Sequence, residues 1–277
     1  KKKVDRDRLL EFNKILNDYK SAKSSVDSRT IAAENWWKLH NEIEAEKEGV
    51  SPDPGSFKSR TAWLVNVIIS KHASAMDSFP EFNILPREKG DVQEAKMLSS
   101  IIPCILEQND YEQTYSDEKW QKLKTGTGVR KVIWDPSLLN GLGDISIKRV
   151  STLNLFWTPG ITDIQDSLYV FHTELEENEL LLQQYPELEG KLGNSVFMPA
   201  KFLYDDNIDN TKKSVVIEVY YHTYINGKKI LQYCKYVNDV VLFATEIPSA
   251  ACTTTAFIPM SSIFSTRSKA APAATAI

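Results

Sequence analysis

The stretch QKLKTGTGVRKVIWDP, residues 121–136, divides the chain by period. The segment before Gly126 reads as helix, while VRKVIWD after Gly128 reads as strand. Most of what lies upstream is helical in pattern, and most of what lies downstream to residue 247 is strand-like. A run of helices followed by a run of strands predicts an α+β fold rather than a doubly wound parallel sheet, in which the two alternate.

The same order limits what the two glycines do. A Walker loop requires G-x-x-x-x-G-K-[ST] between a strand and a following helix. The dinucleotide fingerprint requires strand, G-x-G-x-x-G and helix, and Lys131 stands where its third glycine belongs. With the helix first, no helix N-terminus points at the loop, and anion binding loses its main physical source. The expectation for Gly126 and Gly128 is a helix C-cap and a turn.

Upstream, Leu9, Leu10, Phe12, Ile15, Leu16 and Tyr19 recur at helical spacing, predicting a helix over 5–24 and a second over 28–48, the latter with Trp36, Trp37, Leu39 and Ile43. SPDPGS (51–56) marks a break. A long helix follows from about residue 56, with Phe57, Leu64, Ile68, Ala75 and Phe79 on one face. Another helical region runs from Asp91 to about Lys124, opened by a capping box of Asp91 and Glu94 and broken or kinked at Pro103. Adjacent Trp36 and Trp37 point about 100° apart on a helix, so one of them is expected to meet another chain.

Downstream, VRKVIWD, GDISIKRVS, NLFWTPG and SLYVFHTEL read as strands, and Glu176 to Tyr185 as a short helix. Residues 186–213 read as a polar surface excursion. Three closely spaced strands (214–224, 228–236, 239–246) joined by the turns 226–227 and 238–239 form an antiparallel meander. The expected organisation is an N-terminal helical segment, 1–50, then a core over 56–247 with helices in 56–125 and strands in 129–246, then an irregular tail, 249–277.

Composition bounds the function. The 277 residues are 42% hydrophobic and 25% charged, values of a globular chain, and the net charge of −4 gives no overall basic footprint for nucleic acid. Cys104, Cys234 and Cys252 lie far apart with no C-x-x-C, so neither a disulfide framework nor a zinc site is indicated, and a reducing compartment is the default. No apolar run approaches the roughly 20 residues of a membrane helix. KKKVDRDR lacks the apolar centre of a signal peptide, and without an initiator methionine it reads as the start of a processed chain or a fragment.

No acid, base and nucleophile assemble in the pattern, so no catalytic, cofactor or metal residue is assigned. The four histidines (His40, His72, His172, His222) form no H-x-x-x-H pair. YDDNIDN (204–210) lacks the glycine and the closing glutamate of a calcium loop and reads as a solvated acidic loop. Glu174, Glu176, Glu177 and Glu179 are expected to cluster at a helix start.

The tail changes composition: no Asp or Glu follows Glu246, and Ala, Ser and Thr dominate. Back-translation from Ala251 with the frame moved by one nucleotide permits G-L-Y-D-H-G-F-Y-P, later V-F-D, then P-V-E-G-S-P-C-G-Y-G-Y. A frameshifted tail is therefore one expectation, and a disordered tail is the other.

The ordered series FPEFNILPREKGDVQEAK, KTGTGVRKVIWDP, GDISIKRVSTLNLFWTPGITDIQDSLYV and the meander VIEVYYHTYINGKKILQYCKYVNDVVLFATE, covering about 57–247, resembles portal proteins of tailed bacteriophages. The shifted tail resembles the segment after the meander in that family. The resemblance implies a structural virion protein and not an enzyme. It implies a homo-oligomeric ring, usually a dodecamer, at the head–tail vertex, through which double-stranded DNA passes without sequence specificity. Terminase, head–tail adaptor, scaffolding and major capsid proteins are the implied partners, with no membrane and no cofactor. The implied location is the virion, and the host cytoplasm during assembly. This chain would hold mainly wing-region material, the stem and clip portion being absent, and no channel or DNA-contact residue carries over. Two alternatives stand beside it. One is a stand-alone interaction module built on the early helices and the meander. The other is a nucleotide-binding enzyme using the glycine loop, residues 124–131.

Overall fold

The structure is a computed structural model; it describes residues 4–39, 62–77, 79–80, 82–161, 163–192, 197–200, 212–225, 228–247 and 260–264. The fold is α+β. The chain forms two compact units, Lys1–Thr61 with Val150–Ser261, and Ala62–Arg149 with Ser262–Ile277.

In the first unit one helix, α1 (Arg6–Trp37), runs unbroken through the expected gap at 25–27, and residues 40–48 of the second expected helix lie outside the described residues. Its first half carries the apolar stripe Leu9, Phe12 and Leu16, all buried. Its second half continues the same helical spacing in polar residues, and Lys23, Asp27, Thr30 and Glu34 are buried in turn. Ser21 and Ser28 are accommodated within the helix, donating to the carbonyls of Asn17 and Ser24, both at 2.9 Å. Lys23 donates to the Thr152 carbonyl, pairs with Asp27 at 2.8 Å and lies 4.5 Å from the centroid of the Phe156 ring. Burial pushes the Lys23 ammonium below its usual range and the Asp27 carboxyl above its own, so the pair is held together against a desolvation cost.

The second unit begins with α2 (Trp63–Asp77), α3 (Val92–Gln108) and α4 (Tyr111–Thr125). Helix α3 runs through Pro103, and the break falls at Asn109–Asp110, where Asp110 takes a left-handed φ of 48°. Asn109 explains the position: its amide nitrogen donates to the Ile145 carbonyl at 2.8 Å, and its amide oxygen accepts from the Ile147 N–H at 2.9 Å. A helix-terminal side chain thus caps the backbone of a strand. The expected capping box sits one turn early, with the Glu88 N–H donating to the Asp91 carboxylate at 3.3 Å. Stacking of His72 on Trp120, with ring centroids 3.9 Å apart, ties α2 to α4. Strands β1 (Thr127–Asp135) and β2 (Asp144–Val150) follow.

The remaining elements are β3 (Leu155–Trp157), β4 (Tyr169–Glu177), α5 (Asn178–Gln184), β5 (Lys213–Ile225), β6 (Lys228–Val237), β7 (Val240–Ile247) and β8 (Met260–Phe264). Strands β3 to β7 form one antiparallel sheet in sequence order, and β2-β1-β8 is the other sheet. Met260–Phe264 is therefore a strand within the stretch expected to be an irregular tail; the rest of 248–277 lies outside the described residues, as do 40–61, the acidic loop 204–210 and the turn 226–227. The turn at 238–239 joins β6 to β7 as expected, with Asn238 left-handed at a φ of 50°.

Register gives the five-stranded sheet two unlike faces. Phe171, Val219, Cys234 and Ala244 stand opposite one another across four strands and belong to the apolar core with Leu9, Phe12 and Leu16. One residue along, His172, Glu218 and Lys235 form the matching row on the other face, because successive side chains alternate. One end of that second face is covered by Leu181 of α5 and Leu188, packed on Val216, Val237 and Leu242. Residues 186–213 are therefore not wholly a surface excursion: Leu188 is fully buried, and Phe197 meets Phe156 edge-on with centroids 5.3 Å apart.

Phe12 is fully buried among Tyr169, Phe171, Tyr221 and Tyr236, with ring centroids 5.1 to 6.5 Å away. Phe12→Ala should lower unfolding stability by about 3–5 kcal/mol in urea denaturation. Leu10→Ala, on the exposed side of the same helix, should change it little.

Candidate functional site

Among the described residues three groups gather polar side chains: the glycine loop, a polar row on the second sheet face, and the corner after β3. Each is built from side chains that engage one another.

The glycine loop is a joint. Helix α4 ends at Thr125, the Gly126 N–H donates to the Lys122 carbonyl at 2.9 Å with a φ of 85°, and β1 starts at Thr127. The loop thus lies at the negative end of a helix, the end that repels anions. Gly128 has a different role. A Cβ on it would stand 2.7 Å from Glu118 Cγ and 3.0 Å from the Glu118 carbonyl oxygen. That close approach lets Arg130 reach back to Glu118 with Nε 2.9 Å and Nη2 3.1 Å from the two carboxylate oxygens. Arg130 Nη1 also donates to the Tyr111 hydroxyl. Of the other basic residues in the loop, Lys131 is buried. The arginine that the motif offers to a phosphate is held by a carboxylate of its own chain.

On the second sheet face, His172 lies between two carboxylates, Nδ1 3.2 Å from Glu218 and Nε2 3.6 Å from Glu174. Tyr233 donates to Glu218 at 2.9 Å, and Lys235 to Glu176 at 3.4 Å. Tyr220 stacks at a tilt on Tyr233, with centroids 4.9 Å apart. Burial, then the nearby Glu218 charge, pushes both phenols well above their usual range, so both stay protonated. Of the four glutamates expected at a helix start, Glu177 is the N-cap of α5 and Glu179 stands in its first turn, while Glu174 and Glu176 lie within β4. His172 and Glu174 lie two apart in β4 and so share a face. Glu218 lies 46 residues away, and only the register brings it there.

The corner NLFWTPGITDIQDSLYV is held by its own side chains. Ser167, fully buried, accepts from the Thr158 N–H at 2.9 Å and donates to the Tyr169 carbonyl at 2.6 Å. Tyr19 of α1 meets Thr158 Oγ1 at 3.0 Å, and His222 Nδ1 lies 3.3 Å from the Ser167 carbonyl. Asp163 caps a 3₁₀ turn by accepting from the Gln165 N–H at 2.9 Å. WDP is likewise a joint: Asp135 accepts from the Ser137 N–H and hydroxyl, and these bonds hold its carboxyl below the usual range. Gly143, with a φ of 84°, lies where a Cβ would strike Trp134 at 2.6 Å.

Among the described residues no group of three or more His, Cys, Asp and Glu has the arrangement of a metal site, and no helix is long and apolar enough to cross a membrane. Trp36 is exposed and Trp37 half-buried. Neither protein-family models nor curated proteins match the chain.

Gly128→Ala should destabilise the fold by about 1–3 kcal/mol through overpacking against Glu118, and Gly126→Ala by about 1–2 kcal/mol through its left-handed backbone. Burial pushes the Cys234 thiol up to about 12, so it stays protonated and unreactive. Peptide mapping after iodoacetamide treatment at about pH 8 should find Cys104, which is exposed, alkylated and Cys234 spared until the chain is unfolded.

Proposed function

We propose that this chain is a structural subunit of the portal class of tailed bacteriophages, working by self-assembly around double-stranded DNA and not by catalysis. The observation that carries the reading is the ordered series KTGTGVRKVIWDP, NLFWTPG and the meander. In this fold the residues of that series are joints: a helix C-cap at Gly126, a close approach at Gly128, an Asp135 turn, a Gly143 seat for Trp134 and the Ser167 corner. Residues that fix backbone geometry in a set order suit a subunit whose function is its shape. The DNA passes through such a ring by its backbone charge and without base readout.

On this reading the chain supplies wing-region material of the subunit. Its partners are further copies of itself, terminase, the head–tail adaptor, scaffolding protein and the major capsid protein, and its location is the portal vertex of the virion. The stretch after residue 249 is then a shifted frame, and sequencing the gene from codon 240 onward should find that frame open, with helix-periodic and then basic segments.

Immunogold labelling with an antibody to this chain is expected to mark a single vertex on tailed particles. Label spread over the whole shell, along the tail, or absent from particles counts against the reading. Titration with magnesium-ATP should give no saturable heat; saturable binding abolished by Lys124→Ala or Gly126→Val would favour the nucleotide-binding alternative instead.

A further inference from the structure

Two features of the helical unit are unlike each other and complementary. The first is a cleft of about 510 Å³ beside the C-terminal half of α3. Phe79, Phe82, Leu106 and Tyr111 are among the residues that line it. Phe79 and Phe82 stand at 64° and 66° to the Tyr111 ring, with centroids about 6 Å away, so the three rings form an open box. Arg130 holds Tyr111 through its hydroxyl and lies 5.6 Å from its ring centroid, with its charge answered by Glu118. Glu107, Asp110 and Glu112 line it too, and among the described residues no basic one does. An aromatic box with an acidic lining takes an apolar or aromatic anchor flanked by a cation.

The second feature is a stripe on α2. Trp63, Val67 and Lys71 fall four residues apart on one face of the helix. Trp63 is 75% exposed and Val67 49%, with Leu64 beside them 48% exposed. A tryptophan left this open is the residue type most enriched at the centre of protein interfaces. The stripe therefore presents a large aromatic anchor, an aliphatic shoulder and a terminal ammonium, the set that the cleft accepts.

We infer that the α2 stripe of one copy docks in the α3–α4 cleft of the next, with Trp63 in the aromatic box and Lys71 towards Glu107 and Glu112. The two patches differ, so the contact is head-to-tail: each copy gives one patch and receives on the other. Such a contact continues from copy to copy until the rotation closes a ring. The inference rests on the portal reading only for that closure; the pairing of patches rests on the stripe and the cleft themselves.

The test uses two variants of the whole chain, each altered only at exposed positions. The stripe variant carries Trp63→Ser and Lys71→Glu, and the cleft variant carries Glu107→Lys and Glu112→Lys. Both should keep the circular dichroism spectrum of the parent. In sedimentation velocity the parent should form species larger than a dimer, and each variant alone should associate at least about thirtyfold more weakly. Mixed in equal amounts, the variants should form dimers and nothing larger, because one intact stripe then meets one intact cleft. A parent that stays monomeric at about 100 µM overturns the inference. So does either variant assembling like the parent, which would mean that the cleft or the stripe takes another partner, and so does a mixture that stays monomeric. Rings that persist in both variants overturn the pairing of patches and leave the portal reading standing. Open chains or dimers made through these patches keep the pairing and count against the ring.

Discussion

The first unit depends on one buried ring. Phe12 reaches from α1 into a basket of four aromatic side chains on β4, β5 and β6. An antiparallel sheet with one apolar face requires a cover. The alternation of β4 and β5 gives that face Phe171 and Val219, and Leu9, Phe12 and Leu16 supply the cover. Once the helix is seated, its second half is committed to burial as well. The Lys23–Asp27 pair is then enclosed between the helix and the turn at Thr152, where Lys23 also meets a backbone carbonyl and an aromatic face.

The same economy governs the polar groups elsewhere. His172 is enclosed by Glu218 and Glu174, Arg130 by Glu118 and Tyr111, and Ser167 by Thr158 and Tyr169. Buried polar groups answered within the chain rigidify a fold and specify a single arrangement. Each of these clusters fixes the relation of a strand to its neighbour or of a helix to a strand. Such internal bracing is compatible with the proposed reading, in which the chain works through its shape and its contacts with further copies.

Much of this was legible in the sequence where local chemistry sets the outcome. The change of period at Gly128 marked the passage from helix to strand, because a C-cap needs a left-handed backbone and the next strand needs alternation. The meander was legible for the same reason, with Asn238 supplying the tight turn. The second half of α1 was not, since its buried face is polar and an apolar count stops at Tyr19. The break between α3 and α4 was hidden by Pro103, the strongest local signal, while the deciding contact, from Asn109 to Ile145 and Ile147, spans 36 and 38 residues. The His172 cluster needed the register of β4 with β5, and the aromatic box needed Phe79 and Phe82 to fold back on Tyr111. Both are tertiary facts, with no signature in any short window of the chain.

The measurement that tests the account most directly is electron microscopy of the purified chain at the concentration where it associates. A structural subunit that assembles head-to-tail is expected to give closed rings of one size with a central opening. A preparation that holds only monomers, or only open filaments of variable length, would contradict it.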